Sequence, residues 1–384
     1  MNKFYETNMI RNVSISGAPS SGKTTLAEAM LYNSGQIQTI GSVDKGTSIM
    51  DYDEEEILKK ITIHTSLAHF EWKGNKINIL DTPGIPDLVC EMKSSMQVTE
   101  TNIFVISGID GINIDSEKNW HIADDLKLSR IVFINKIDDE NVKIDEIIES
   151  IYNKFKKKAI PIYYPVGVGS KFNGLVDIIK MKTIYNDNKI SDIDPNLLDK
   201  IKNYRDKLLD AIVETDDNLM EKYLNGEELT EEEITKALKK EILNNKIVLV
   251  SFGSALKNSG VNNLLDIIVN YMPSPANFPE IEGKYNDKKI VKKQSSNDTF
   301  SGFIFKTRID PYAGRISYCR IYSGKIKVGD EILNVNKNVK EKIQHIYTMI
   351  GKNFKDLDTA YAGDIIVFTK IDSFDTFDTL SDAN

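Results

Sequence analysis

A glycine-rich loop constrains the fold of this chain more than any other feature of its sequence. Residues 12–16, "NVSIS", predict a strand, "GAPSSGKTT" follows at 17–25, and "LAEAMLYNSG" predicts a helix that stops at Gly35. The loop fits the pattern G-x-x-x-x-G-K-[ST], which requires a strand before it and a helix after it. The segment therefore predicts a phosphate-binding loop, and the alternative is a glycine- and serine-rich turn without function.

The segments that follow alternate between strand and helix patterns as far as residue 280. Apolar or alternating runs predict strands at 64–72, 76–80, 102–107, 130–134 and 246–252. Residues 1–280 are therefore predicted to form an α/β nucleotide domain, with a mostly parallel sheet and helices on both faces. Within this domain, residues 159–245 break the pattern with short strands and acidic helices, and we predict an α+β insert there.

The chain changes character after residue 280. Residues 281–298 are polar and rich in lysine, which predicts a linker or an exposed arm. Residues 299–384 contain short alternating runs separated by Gly and Asp turns, and these predict an antiparallel β-barrel domain. The lysines of the arm can contact RNA phosphates, but a solvated linker is the favoured interpretation. They are Lys284, Lys288, Lys289, Lys292 and Lys293.

Charge and cysteine content limit the class of protein. The 49 basic and 57 acidic residues give a net charge of −8, which argues against coating of nucleic acid by bulk charge. Two cysteines far apart in sequence argue against a disulfide framework. No run of the sequence approaches the ~18 uninterrupted apolar residues of a membrane span. We expect a cytoplasmic, monomeric protein without DNA or membrane partners.

The phosphate-loop pattern assigns roles to individual residues. Backbone N–H groups of such a loop face the phosphates, and the helix that follows adds partial positive charge. The Lys23 ammonium is predicted to reach the β- and γ-phosphates and to assist catalysis, and the Thr24 hydroxyl to ligate Mg²⁺. The nucleotide-binding residues predicted here are Gly17, Ala18, Pro19, Ser20, Ser21, Gly22, Lys23, Thr24 and Thr25.

A second motif, Asp81-Thr82-Pro83-Gly84, follows the strand predicted at 76–80. A carboxylate at this strand end can hold Mg²⁺ from the side opposite Thr24. Gly84 can offer its N–H to the γ-phosphate because no side chain blocks the approach, which gives it a catalytic role. Asp-Thr-Pro-Gly also makes a good turn, so the motif gains weight only from its position at a strand end.

The base-reading residues follow two further strands. Asp138 can accept two hydrogen bonds from guanine, and adenine lacks that pair of donors. Lys136 can lie along the base, and Asn135 can tie its loop to the phosphate loop, the alternative being a polar turn. A second base contact is predicted after the strand at 246–252, where the N–H of the middle residue would meet guanine O6. Its residues are Ser254, Ala255 and Leu256.

These motifs resemble those of the translational GTPases, and among them elongation factor G. "KKITI" at 59–63 resembles the family segment "RGITI", which implies that Thr62 is a second Mg²⁺ ligand. The stretch 159–245 is similar to the insert that distinguishes elongation factor G from elongation factor Tu. "DPYAGRISYCRIYSGKIKVGDEILN" resembles the family's second-domain barrel. The resemblance covers essentially the whole chain.

Several positions depart from the family pattern. Ala18 and Ser20 stand where the family's phosphate loop usually has His and Asp, and Lys59-Lys60 replaces Arg-Gly. Ile85 replaces the histidine that orients the attacking water in the family. With these departures, the chain resembles a divergent elongation-factor-G-like subgroup of the family. Elongation factors G continue through three further domains, so we expect the 384 residues to be a fragment of a longer protein.

The resemblance implies a ribosome-dependent GTPase acting in elongation or translocation. Its ligands would be GTP, GDP and Mg²⁺, and its partners ribosomal RNA and proteins. The alternative is a GTP-binding switch with little or no hydrolysis, because Ile85 can neither donate nor accept a proton. His64 could take the place of the missing histidine, although an ordinary strand residue is the favoured interpretation. A third hypothesis, an ATP-using P-loop enzyme, conflicts with the role assigned to Asp138.

Overall fold

A seven-stranded sheet lies at the centre of the N-terminal domain in the computed structural model, which describes residues 3–155, 158–214, 216–285 and 288–383. The strands up to residue 252 are β1 (Ile10–Gly17), β2 (Ser66–Trp72), β3 (Asn75–Asp81), β4 (Thr101–Ser107), β5 (Ser129–Asn135), β6 (Lys158–Pro161), β7 (Tyr163–Val166), β8 (Gly174–Asp177), β9 (Lys182–Tyr185), β10 (Ile190–Ser191) and β11 (Ile247–Phe252). The order in the central sheet is β2-β3-β1-β4-β5-β11-β6, and all neighbours are parallel except β2 and β3. The predicted mostly parallel sheet is confirmed.

Helices pack against this sheet and share one apolar core with it. They are α1 (Lys23–Asn33), α2 (Glu54–Lys59), α3 (Val89–Met96), α4 (Ile114–Asp125), α5 (Ile144–Phe155), α6 (Pro195–Val213), α7 (Asp217–Leu224), α8 (Glu231–Leu243) and α9 (Val261–Tyr271), with 3-10 turns at Thr7–Met9, Pro86–Leu88, Gly169–Lys171 and Pro275–Asn277. Trp120 of α4 stacks on Phe155 of α5 with ring centroids 4.0 Å apart. Within the described ranges, no helix is both long and apolar enough to cross a membrane.

The insert begins later than the sequence predicts. Strand β6 pairs in parallel with β11 and forms an edge of the central sheet, so its four residues belong to the nucleotide domain. The predicted start, at about residue 159, therefore falls within β6, because so short an edge strand lacks a long apolar run that would indicate it. After β6, strands β7 to β10 form a separate antiparallel sheet in the order β10-β9-β8-β7, and α6, α7 and α8 follow.

The segment predicted as a linker contains a hairpin. Strands β12 (Glu280–Tyr285) and β13 (Lys288–Lys293) pair antiparallel, and residues 286 and 287 lie outside the described residues. Lys289 forms an ion pair with Glu282 at 2.5 Å, and Lys292 Nζ donates to Thr299 Oγ1 at 2.7 Å. Strand β13 is largely exposed, so the hairpin agrees with the interpretation of this segment as an exposed arm, and backbone pairing between its two strands orders it.

The C-terminal domain confirms the predicted antiparallel β-barrel class. Its strands are β14 (Ser301–Asp310), β15 (Gly314–Ser323), β16 (Lys325–Lys327), β17 (Glu331–Asn334), β18 (Val339–Lys342), β19 (Ile346–Ile350), β20 (Asn353–Leu357), β21 (Thr359–Tyr361), β22 (Ile365–Thr369) and β23 (Thr379–Asp382). In the described chain, eight of them form one sheet in the order β18-β17-β23-β14-β15-β22-β19-β20, and β16 pairs with β21. We call residues 299–383 the β-domain; Asn384 lies outside the described residues.

The β-domain packs directly on the nucleotide domain. Leu67 and Leu80 of the central sheet share one apolar cluster with Phe305, Tyr318 and Val367 of the β-domain. Several ion pairs cross this interface, and two of them are almost fully shielded from solvent. Arg320 contacts Glu100 at 2.7 Å, and Lys76 contacts Asp364 at 2.7 Å. The two domains therefore form a continuous packed unit, with charge pairs inside the boundary.

A histidine in this interface makes stability depend on pH. The ring Nδ1 of His69 on β2 lies 3.0 Å from Thr348 Oγ1 and 3.2 Å from the carbonyl oxygen of Met349. Burial, and then the charge of Lys76, lowers the pKa of His69 to about 4. The unfolded chain binds this proton more readily, so stability falls as pH drops from 6.5 towards 4. We expect a loss of about 2 kcal/mol at pH 5 relative to pH 7.

Urea unfolding at pH 7, 6 and 5 measures this loss. A His69→Gln variant removes the titrating ring, so its unfolding free energy should fall less steeply with pH than that of the wild type. His121→Gln is the matched control, because His121 is an exposed histidine on α4. If His69→Gln and His121→Gln leave the same pH dependence, burial of His69 is not the cause.

Candidate nucleotide-binding site

Loops at the carboxyl ends of β1, β3, β5 and β11 enclose a cavity of about 470 Å³. Parallel strands bring such loops to one edge of the sheet, even from distant parts of the chain. The predicted site residues that line the cavity are Pro19, Ser20, Gly22, Lys23, Thr24, Thr25, Thr62, Gly84, Asn135, Lys136, Asp138, Ser254 and Leu256. The other predicted residues are buried and do not contribute to its lining; they are Gly17, Ala18, Ser21, Asp81 and Ala255.

The phosphate loop curls tightly before α1. Ser20 and Gly22 both have left-handed backbone angles, with φ of 58° and 93°. A Cβ atom on Gly22 would lie 2.3 Å from Asn135 Nδ2, so glycine is needed there for space as well as conformation. Lys23 Nζ donates to the carbonyl oxygen of Ala18 at 2.9 Å, inside the curl. Burial lowers the pKa of Lys23 to about 8.

Two hydroxyls and two carboxylates gather beside the lysine. Thr24 Oγ1 and Thr62 Oγ1 lie 2.9 Å apart and hydrogen bond to each other. The carboxylates of Asp81 and Asp51 are buried, and none of their oxygens makes a well-formed hydrogen bond within the described residues, although the Thr24 and Thr62 hydroxyls lie near enough to oppose the rise in carboxylate pKa that burial causes. A buried carboxylate without partners is costly, which indicates that a cation belongs beside it.

The electrostatics of these acids agree with a cation site. Burial, and then the charge of Asp51, raises the pKa of Asp81 to about 8. Burial and Glu56 raise the pKa of Asp51 to about 6. The described residues contain no group of three or more His, Cys, Asp or Glu that could cage a metal alone. Oxygen ligands in this number suit Mg²⁺, which takes few protein ligands and completes its shell with phosphate and water.

Asn135 joins the two ends of the cavity. Its Nδ2 donates to the carbonyl oxygen of Ser21 in the phosphate loop at 2.9 Å. Its Oδ1 accepts from the N–H of Ala255 at 2.9 Å. The predicted tie between the base-reading loop and the phosphate loop is therefore present, and it extends to the loop after β11.

The contact predicted for Ala255 is not supported by this geometry. Because the Ala255 N–H donates to Asn135, it is directed into the protein, and Ala255 is fully buried. Leu256, the next residue, lines the cavity instead. Asp138 also lines the cavity. Lys136 lies beside it with φ of 64°.

Sequence reasoning missed the glutamate that organises the loop after α1. We call residues 36–65 the first switch segment and residues 81–96 the second. Glu28 of α1 is fully buried, and its Oε1 accepts from Ser48 Oγ at 2.8 Å, from the N–H of Ile49 at 2.6 Å and from that of Met50 at 3.0 Å. Its Oε2 accepts from the N–H of Gly41 at 3.1 Å. One signal was present, since Glu28 is a lone charge among the apolar residues of "LAEAML".

Asp51 and Glu56 were also missed. Asp51 lines the cavity, and Glu56 of α2 is buried with its Oε1 3.0 Å from the N–H of Ile63 and 2.9 Å from that of His64. Both acids stand in the run "MDYDEEE", where neighbouring acids hide them. Composition gave no means of choosing among these five acidic residues.

The residue that follows the motif Asp81-Thr82-Pro83-Gly84 has an apolar side chain. Ile85 lines the cavity directly after Gly84. A Cβ atom on Gly84 would lie 2.4 Å from Lys23 Nζ, so the Gly84 backbone and the lysine are in close contact. His64 is half-buried and does not line the cavity. No imidazole among the described residues therefore reaches the cavity.

Two family models match this chain, and many known proteins and solved structures resemble it. Residues 8–274 match the family model described as elongation factor Tu GTP binding domain, and residues 299–383 match elongation factor G domain 2. Elongation factor G of Thermotoga neapolitana is 35% identical over 388 residues, covering 99% of this chain and 56% of that protein. A crystal structure of a protein from Thermus thermophilus superposes with a TM-score of 0.87 at 29% identity, covering 98% of this chain and 55% of that one. The chain spans about half the length of these relatives.

Proposed function

This chain belongs to the elongation factor G family of translational GTPases, and on that premise we propose that it binds GTP and GDP with Mg²⁺ and hydrolyses GTP when bound to the ribosome. The observation that supports the proposal best is the pair of hydrogen bonds made by Asn135. They join the phosphate loop and both base-reading loops around one cavity. A cavity of this kind fits a nucleotide whose phosphates and base are recognised at opposite ends.

At the phosphate end of the cavity, the residues would position the phosphates and stabilise their negative charge. Phosphoryl transfer depends mainly on these two effects. Lys23 and the backbone N–H groups of its loop would stabilise the β- and γ-phosphates, and the N–H of Gly84 would meet the γ-phosphate. Thr24 and Thr62 would hold Mg²⁺, and the carboxylates of Asp81 and Asp51 would balance its charge. The bound ion would neutralise charge on the phosphate oxygens.

The base end would select guanine. The Asp138 carboxylate would accept from the guanine N1–H and N2–H, and Lys136 would cover the base. With Ala255 turned inward, we assign the contact with guanine O6 to the N–H of Leu256. ATP competition tests this end: in a displacement assay with labelled GDP, GTP should displace the label and ATP should not. Equal displacement by ATP would favour the ATP-using alternative.

The proposed partner is the ribosome, through its RNA and proteins, and the proposed location is the cytoplasm. Phosphate release from GTP, measured with and without ribosomes, tests this partner. Stimulation well above the intrinsic rate supports ribosome-dependent hydrolysis. If the nucleotide binds and ribosomes give no stimulation, the chain is better explained as a switch.

Ile85 favours that second candidate, a GTP-loaded switch with little hydrolysis of its own. An apolar side chain at this point of the cavity cannot orient the attacking water. The substitution Ile85→His supplies a group that can, so we expect turnover to rise by ~10²-fold, the lower end of the ~10²–10⁴-fold range of positioned proton-transfer groups. Single-turnover phosphate release measures the change.

A second isoleucine provides the control for this substitution. Ile109 also lines the cavity, so Ile109→His places an imidazole in the same cavity at another point. Turnover should not rise in Ile109→His. If wild-type chain already hydrolyses GTP rapidly on ribosomes and Ile85→His adds nothing, the backbone and the ribosome position the water without a side chain at 85.

A further inference from the structure

We propose that two cations of the β-domain, Lys306 and Arg308 on β14, hold both switch segments in the conformation that keeps Thr62 beside Thr24. They would be positioning residues for GTP, supplied by the second domain to a site in the first. This role rests on the proposed function. The evidence for this role is a set of hydrogen bonds from β-domain side chains to residues that precede and follow Thr62 in the sequence.

Arg308 reaches the first switch segment ahead of Thr62. Its guanidinium donates to Asp53 Oδ1 and, at 3.3 Å, to the hydroxyl of Tyr52. The guanidinium carbon also lies 5.4 Å from the Tyr52 ring centroid, within reach of a cation–π contact. Both partners of the Arg308–Asp53 ion pair have side chains only 20% exposed. The pair is therefore partly desolvated, and its charges are screened less by solvent and salt than those of an exposed pair.

The short helix α2 links the contact between Arg308 and Asp53 to the backbone beside Thr62. Asp53 is the N-cap of α2, and its own N–H donates to Glu56 Oε2 at 3.2 Å. The other oxygen of Glu56 accepts from the N–H groups of Ile63 and His64, the two residues after Thr62. Moving Asp53 would therefore move the helix whose glutamate holds the backbone beside Thr62.

Lys306 holds the segment on the other side of Thr62 and links it to the second switch. Its buried ammonium donates to the carbonyl oxygen of Thr65 at 3.0 Å and to Glu91 Oε2 at 2.7 Å. Glu91 belongs to α3 in the second switch segment, and its Oε2 also accepts from the N–H of Thr65 at 3.0 Å. Lys306, Thr65 and Glu91 thus form a closed triangle that spans both switches.

The β-domain also touches the first switch segment at a third point. Gly351, in the turn after β19, has φ of 55°, and a Cβ atom there would lie 2.1 Å from the carbonyl oxygen of Ile49. The backbone of Ile49 is held from the other side by Glu28. The segment therefore fits between α1 and the β-domain without free space at this residue.

These contacts should matter for GTP and not for GDP. Thr62 is assigned to the Mg²⁺ that accompanies the γ-phosphate, so only GTP requires the first switch segment to stay closed. A group that favours the closed form raises GTP affinity by its differential effect on the two forms. The coupling is reciprocal, so GTP would in turn strengthen the hold of the β-domain on both switches.

Nucleotide affinities of the full chain test this role. Dissociation constants for GDP and for a non-hydrolysable GTP analogue with Mg²⁺ would be measured for wild type, Arg308→Met and Lys306→Met. We expect each variant to bind the GTP analogue about tenfold more weakly, a typical coupling between sites, and GDP within about twofold of wild type. If Arg308→Met fails to fold, Asp53→Asn tests the same ion pair by changing the partner of Arg308. Asparagine also favours the N-cap position, so this variant retains the cap of α2.

Asp364→Asn is the matched control, because it weakens an interface ion pair with Lys76 away from the switches. It should leave the ratio of the two affinities unchanged. Equal loss of GDP and GTP analogue in the Arg308 and Lys306 variants, or no loss of either, would overturn the positioning role alone. A wild-type chain that binds neither nucleotide would overturn the proposed function and this role with it.

Trypsin cleavage supplies a readout that a merely structural role would not move. Lys59 and Lys60 end α2 within the first switch segment, and the Lys59 side chain is 53% exposed. With the GTP analogue bound, wild type should resist cleavage there, whereas Arg308→Met should be cut at nearly the rate of the GDP form. Equal protection in the two proteins would contradict the proposed hold on this segment.

Discussion

An Asp138→Asn variant is expected to bind GTP about 10²–10³-fold more weakly than wild type, because it loses charged hydrogen bonds to the base. The same variant should gain affinity for XTP. Xanthine carries an oxygen where guanine carries the N2 amine, and an asparagine amide can donate to that oxygen while accepting from N1–H. Two opposite changes from one substitution are hard to explain by loss of folding.

Competition binding with labelled GDP measures both affinities in one assay. The neighbouring acid gives the control, because the Asp139 carboxylate already accepts from the N–H and the Nδ2 of Asn141, each at 2.9 Å. Asp139→Asn should change GTP affinity by less than about threefold, as expected for a carboxylate engaged elsewhere. Should Asp138→Asn bind GTP as well as wild type and show no gain for XTP, Asp138 does not read the base.

An Arg320→Met variant is expected to lose about 3–5 kcal/mol of unfolding free energy, because Glu100 would remain buried as an uncompensated charge. Arg320 has no exposed surface, contacts Glu100 at 2.7 Å and also donates to the carbonyl oxygen of Gly363. Asn12 Nδ2 donates to the other Glu100 oxygen at 2.9 Å. Burial raises the pKa of Glu100, and Arg320 opposes that rise.

Chemical denaturation with urea measures this loss, and a double variant separates its causes. Arg320→Met combined with Glu100→Leu removes both charges, so most of the lost stability should return. The comparison is a double-mutant cycle, and a coupling energy near zero would show that the pair contributes little. Arg315→Met is a control within the same strand, since Arg315 pairs with the half-exposed Asp375 inside the β-domain.

The convergence of the nucleotide motifs could be predicted from the sequence because each follows a strand. Parallel strands place their carboxyl ends at one edge, so strand order along the chain sufficed to bring Lys23, Asp81 and Asp138 together. The orientation of the Ala255 N–H, which is directed away from the cavity, could not be predicted in this way. It depends on a single hydrogen bond from the Ala255 N–H to a side chain 120 residues away.

The contacts that order the switches could not be predicted either. Glu28 and Glu56 hold backbone N–H groups of loops, and a loop has no periodicity that would indicate its partner. Arg308 and Asp53 lie 255 residues apart, in different domains. Local patterns also gave no indication of the hairpin in the lysine-rich segment or of strand β6, because strand pairing decided the conformation of both segments.

The outer edge of the central sheet has a consequence for any attempt to produce the first domain alone. Strand β2 forms that edge, and the N–H of Gly351 donates to the carbonyl oxygen of Leu67 within it at 3.0 Å. Without residues 299–383, unpaired backbone and the apolar side chains of Leu67, Leu80 and Val98 would face solvent together. Such an edge invites strand addition between copies, so the isolated domain would self-associate into β-rich aggregates unless a charged or proline substitution protected it.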